Sequence, residues 1–155
     1  MVNDSSPGAV MHEPPDGYAV PPTLEVDLER LRAYWDALKR GGNTIPFWDD
    51  VRLSALTDAG ASALLIDAFE HPPRFRFSNL GARVIARYGE PVGSRFTGEV
   101  EPRGPFELLT AQCSATVARQ SPTYYRHAGD QPYGRLLLPL WGNGHIGMLL
   151  GGIAP

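Results

Sequence analysis

Residues 136–152 read LLLPLWGNGHIGMLLGG, two apolar runs around a glycine-rich centre. That centre, Gly142 to Gly147, matches the G-x-G-x-x-G of a dinucleotide-binding loop letter for letter. Such a loop works only between a strand and a helix, because the pyrophosphate rests on the unpaired N–H groups of a helix start. After Gly147 the sequence continues for eight residues, none of them acidic and able to hold a ribose. Asn143-Gly144 is instead the dipeptide that supplies two positive φ angles to a two-residue loop, so the stretch predicts a β-hairpin.

A hairpin closed at Asn143-Gly144 sets Trp141 opposite Ile146, Pro139 opposite Met148 and Leu137 opposite Leu150 on one side. The other side carries Leu140 opposite Gly147, Leu138 opposite Leu149 and Leu136 opposite Gly151. Neither side is polar, so both must be covered. Gly147 and Gly151 leave room on the second side, for a close-packed helix or for a cavity that takes a small ligand.

The chain offers two covers. After Thr23, a plausible N-cap, Leu24, Leu28, Leu31, Trp35 and Leu38 recur at spacings of four and three, the period of an amphipathic helix. Glu25, Asp27 and Glu29 suit its positive end, Lys39 and Arg40 its negative end, and Gly41-Gly42 stop it. This seam either lies on its own domain or pairs with a second copy. Residues 1–22, rich in proline and poor in core formers, are expected to be a flexible tail.

Between these ends, Asp49 or Asp50 is expected to cap a short helix through Val51, Leu53 and Leu56. Residues 63–69 and 74–77 read as strands joined at His71-Pro72-Pro73, and Val84, Ile85 and Tyr88 as one face of a short helix ending at Gly89. A second helix spans Pro105 to Arg119 with Phe106, Leu109, Cys113 and Val117 on one stripe, which makes Cys113 a core residue rather than a nucleophile. Thr123 to His127 is a strand by composition. Five strands linked mostly by hairpins, with helices grouped between them, describe an α+β domain with an antiparallel sheet.

Composition narrows the function. A chain of 155 residues suits one core, and 14 basic against 17 acidic residues leave no electrostatic footprint for nucleic acid. The first residues lack the pattern of a signal peptide, no apolar run spans a bilayer, and the single cysteine fits a reducing compartment, so a cytoplasmic protein without a membrane partner is expected. His12, His71, His127 and His145 have no ligand spacing, so no metal site is expected.

The order of these elements resembles a PAS domain, and more narrowly the small single-domain bacterial PAS family with a helical N-terminal extension bearing a Trp. The likeness rests on Tyr34-Trp35 with Arg40-Gly41-Gly42, on Arg74 to Gly81, on Tyr88 to Phe96 and on Leu136 to Leu140, and it covers roughly residues 28–153. It implies a flexible tail over 1–22, an N-terminal helix over 23–42 and a PAS domain over 43–155. The implied fold is a five-stranded antiparallel sheet with helices on its inner face, often around a pocket. The cysteine-bearing flavin motif of light-sensing relatives is absent, since Cys113 sits in Gln-Cys-Ser-Ala. A haem held by His127 or His145 is not favoured over a solvent-facing histidine.

The resemblance implies a non-enzymatic sensory or regulatory domain acting through dimerisation or a separate signalling protein. Leu24, Leu28, Leu31, Trp35 and Leu38 would then meet Trp141, Ile146 and Met148, with Leu137 and Leu150, at the docking or dimer face. Phe77, Tyr88, Phe96, Cys113, Tyr125, Leu136, Leu138 and Leu149 would line a pocket for a small apolar ligand, with Leu140 also facing it. Alternatively Phe77, Tyr88 and Phe96 fill that space and the protein is a ligand-free interaction module. A small-cavity isomerase or hydrolase would need a buried ionisable group, for which His127 and Tyr125 are the candidates.

Overall fold

The structure, a computed structural model, describes residues 17–155. Helix α1 (Val26–Ala37) is followed by short 3-10 turns, strands β1 (Ala63–Glu70) and β2 (Pro73–Leu80) and helix α2 (Ala82–Tyr88). Further 3-10 turns, including Gly104–Phe106, lead into helix α3 (Leu109–Arg119). Strands β3 (Thr123–His127), β4 (Tyr133–Gly142) and β5 (His145–Ala154) complete the chain. All pairings are antiparallel and the spatial order is β2-β1-β5-β4-β3. No helix among the described residues is long and apolar enough to cross a membrane.

The Asn143-Gly144 loop forms as expected, with φ of 54° and 83°. Trp141 pairs with Ile146, as the loop geometry requires. Beyond that pair the register shifts by one, so that Leu140 faces Met148, Pro139 faces Leu149 and Leu138 faces Leu150. Gly147 is the extra residue: it marks a β-bulge, and the space beside it belongs to a surface groove rather than to a pocket beneath the sheet. A one-residue shift exchanges faces. The expected pairs Pro139 with Met148, Leu137 with Leu150, Leu140 with Gly147, Leu138 with Leu149 and Leu136 with Gly151 are corrected accordingly.

The ribbon is covered on both faces, but the faces of β4 are the reverse of those expected. Leu136, Leu138 and Leu140 join Leu150 on the outer side, packed with Leu28, Leu31 and Trp35 of α1, while Met148 lies at the margin of that cluster. Leu137, Ile146, Leu149 and Ile153 face inward with Phe77, Val84, Tyr88, Phe106, Leu109 and Cys113, and Trp141 packs against them. With leucine on both sides, alternation divides the residues into two sets without saying which set meets which helix. The inward side of Gly151 is filled, since a Cβ there would fall 2.8 Å from Leu137 and 3.0 Å from Leu64.

Helix α1 docks closely for a reason visible in β5. A Cβ at Gly152 would lie 2.7 Å from Leu28 and 2.8 Å from Leu31, so the missing side chain is what admits both leucines. Leu28, Leu31 and Trp35 are fully or almost fully buried, and Leu24 and Leu38 are partly buried beside them. The indole Nε1 of Trp35 donates to Pro139 O at 2.8 Å. Strand β3 pairs with β4 only as far as Leu137, so Pro139 lies where β4 outruns its neighbour. There the proline removes no ladder donor and its carbonyl is left for the indole. Trp141, pointing its backbone the same way, donates to Pro46 O at 2.8 Å.

Several ends differ from expectation. Thr23 is not the cap: the N-cap position is Glu25, without a side-chain cap bond, and the helix ends at Ala37, ahead of Gly41-Gly42. Asp49 and Asp50 cap no helix either. They lie in a 3-10 turn, where Asp50 accepts from Arg40 Nε at 2.8 Å and the guanidinium lowers its pKa. Of the expected tail, residues 1–16 lie outside the described residues, whereas Tyr18 is buried and its carbonyl accepts from Tyr124 N at 2.9 Å.

Because Trp35 holds the helix by one buried bond as well as by area, Trp35→Phe leaves Pro139 O without that donor. It is expected to cost about 1–3 kcal/mol, and Leu28→Ala about 2–5 kcal/mol, both read as a lower urea midpoint at unchanged slope.

Candidate functional site

Most of the space between the sheet and the inner helices is filled. Phe106 lies 4.8 Å from Phe77 and 4.7 Å from Tyr88 between ring centroids. Phe77, Tyr88, Cys113 and Leu149 from the expected pocket therefore do meet, as packed core. Leu136 and Leu138 are corrected to the outer cluster, for the register reason given above. Phe96 is corrected to a half-buried position, where it contacts Phe69 at 5.9 Å and Arg74 at 4.7 Å. Trp141 and Ile146 are corrected from the docking face to the inner cluster.

The exception to this apolar filling is a polar group where β3 and β4 meet α3. Arg135, Gln112, Thr116 and Thr123 are each 0 % exposed. Arg135 is placed by strand period: two residues after Tyr133 and two before Leu137, it shares their inward side. Gln112 and Thr116 are one turn apart on α3, and Thr123 opens β3 opposite Leu137. Gln112 Nε2 donates to Thr123 Oγ1 at 3.1 Å and to Arg135 O at 3.2 Å. Thr116 Oγ1 donates to Gln112 O at 2.8 Å and lies 2.6 Å from Thr123 Oγ1. The hydroxyls and the amide thus satisfy one another.

The guanidinium does not close on itself in this way. Its Nε donates to Gln112 Oε1 and its Nη1 to Pro105 O, both at 2.7 Å, while Nη2 is buried without a hydrogen-bond partner. Its centre stands 4.9 Å from the ring of Tyr125. Burial pulls its pKa below the ordinary value, opposed by Tyr133, Cys113, Tyr125 and Tyr18, none a carboxylate. An arginine in a protein keeps its proton at neutral pH, so this is a buried positive charge held by two neutral carbonyls and a ring face.

Aromatic side chains separate the cluster from the surface. Tyr125 is half-buried and 6.2 Å from Tyr133. His127 stacks on Tyr133 at 5.3 Å, with Nδ1 3.7 Å from Glu107 Oε2. Tyr133 donates to Gly104 O at 2.8 Å, so the turn before α3 holds both Tyr133 and Arg135. Of the residues singled out from sequence, Tyr125 and His127 come together here. Arg135 and Gln112 were missed, although an arginine at an alternate position leading into a strand apolar on both faces was a usable signal.

The opposite side of the same strand pair carries a second polar contact. Tyr124 OH donates to Glu25 Oε2 at 2.7 Å, and Arg126 Nη1 donates to the same oxygen at 2.7 Å. A Cβ at Gly134 would fall on both Glu25 Oε2 and the Tyr124 hydroxyl, so the bare strand makes the space for this contact. A separate groove of about 360 Å³ lies on the outer face between Trp48, Phe69, Met148 and His145. Its polar walls already have partners: Arg76 pairs with Asp67 at 3.0 Å, and His145 Nδ1 lies 3.8 Å from Glu70 Oε1.

Two titrations should report this architecture. Burial pushes the Cys113 thiol up to about 12 against the pull of Arg135, so the thiolate is scarce at neutral pH. A disulfide reagent is expected to label Cys113 only at the rate of global unfolding. Burial and the Glu25 contact push Tyr124 up to about 12, and Tyr125 and Tyr133 are raised by burial. From about pH 10 to about 12 the unfolded chain therefore holds fewer protons than the folded one, and stability is expected to fall with rising pH. Phenolate absorbance at about 295 nm should then rise together with loss of structure.

No family model matches the chain, and no curated protein or solved structure matches it significantly.

Proposed function

We propose that this protein is a PAS-like, non-enzymatic sensory or regulatory domain, in which events beneath the sheet alter how α1 docks and so its self-association or its binding to a separate signalling protein. The element order, the antiparallel sheet with α2 and α3 on one face and α1 on the other, supports the resemblance noted in the sequence. The observation that carries the functional reading is a back-to-back arrangement on one short strand. Tyr124 and Tyr125 are neighbours in β3, the first bonded to Glu25 just ahead of α1, the second lying on the buried guanidinium of Arg135. In this reading, movement of one side chain is passed to the other through the single peptide unit that joins them at the sheet edge.

The ligand-free interaction module draws support from the filled interior around Phe106. The two readings part on coupling. In the sensory reading, Tyr125→Ala is expected to speed hydrogen exchange of α1 amides by about tenfold or more, with β1 and β2 unchanged, and to shift the monomer–dimer balance in native mass spectrometry. Exchange that rises evenly across the domain, or not at all in α1, would leave the interaction module as the better account.

A further inference from the structure

We infer that Arg135 is the recognition group for a small monocarboxylate, which enters where the Tyr125 ring now lies. This rests on the sensory reading and supplies its ligand class. Of the five N–H groups that a guanidinium carries, two are bound, and those on Nη2 point at no acceptor although the residue is fully buried. Taking a cation out of water costs more than two neutral carbonyls return, and no carboxylate is among the groups that counter that cost at Arg135. The Tyr125 ring face offsets part of the charge but accepts no hydrogen bond in the plane of the guanidinium.

The missing partner is thus an anion with in-plane lone pairs, and a carboxylate is the group whose geometry fits the fork. One charge is enough: a single buried cation faces it, and the surrounding donors are spent within the Gln112, Thr116 and Thr123 loop. The rest of the molecule must be apolar and carry no second negative charge, because the Tyr125 ring lies on the guanidinium, Tyr125 and Tyr133 pack with the inner cluster, and the Glu107 carboxylate stands against Tyr125. Access lies at the sheet edge, where β3 is five residues long and Tyr125 is already half-buried.

The test uses the whole chain, with arginine labelled for nitrogen NMR, titrated with sodium acetate and sodium benzoate. Sodium chloride at matched ionic strength and acetamide serve as controls. The expected result is a saturable shift of the Arg135 side-chain signals with either carboxylate alone. The unfolding temperature should rise by roughly 5–10 °C at a hundredfold excess over the dissociation constant. Arg135→Gln is expected to abolish both effects. Gln112→Glu, which gives the guanidinium a carboxylate of its own, should abolish them while keeping the arginine. Signals that stay still with both carboxylates, that move equally with chloride or acetamide, or that respond undiminished in Gln112→Glu would overturn the inference, and the wild-type titration decides even if Arg135→Gln does not fold. Hydrogen exchange of α1 in the same samples separates the two proposals: carboxylate binding without any change in α1 removes the sensory reading and leaves Arg135 as a binding site without an output through α1.

Discussion

The whole architecture follows from one strand pair that has no polar side. Leu136, Leu138, Leu140 and Leu150 on one surface of β4 and β5, and Leu137, Leu149 and Ile153 on the other, cannot face water without losing the burial that drives folding. Each surface requires its own layer, and the chain supplies α1 to one and α2 with α3 to the other. The remaining strands extend the sheet outward from this doubly covered centre, β1 and β2 beyond β5, and β3 beyond β4.

Such a three-layer plan places the sheet between two unlike environments. Above it, α1 is fixed by two leucines, an indole bond and the Glu25 contact near its start. Below it, a mainly apolar interior holds the polar group of Gln112, Thr116 and Thr123 and, among the described residues, one buried charge, Arg135. A buried charge is poor evidence for stability, since apolar residues of the same volume often serve a core as well or better. Its presence in a core built mainly of aliphatic and aromatic side chains is what directs attention to that end of the sheet, rather than to the outer groove with its self-paired walls.

Much of the fold was legible where local chemistry is strict. Asn143-Gly144 announced its loop, the Leu24 to Leu38 seam its helix, and the β-formers at 123–127 their strand. What failed did so for definable reasons. A glycine within a strand reads equally as space or as a bulge, and the bulge at Gly147 moved every partner beyond it by one position. Two apolar faces carry no label for inside and outside, so Leu136 and Leu138 were expected beneath the sheet and lie above it. Thr23 has the side chain of a cap, yet the helix starts two residues further on, where the contacts of Glu25 hold the chain. For the candidate site, Tyr125 and His127 were visible as isolated possibilities. Their relation to Arg135 depends on the β3–β4 register, which no local pattern encodes.

The overhang of β4 past the end of β3 has a consequence for behaviour in a crowded solution. An uncovered strand margin is a template on which a foreign polypeptide can zip up, the first step toward aggregates. Here that margin is sheathed by the chain itself: Pro46 takes the Trp141 amide, and Pro139 offers a carbonyl already claimed by Trp35 and no amide at all. The anchor that fastens the leading helix therefore doubles as a guard against unwanted strand recruitment.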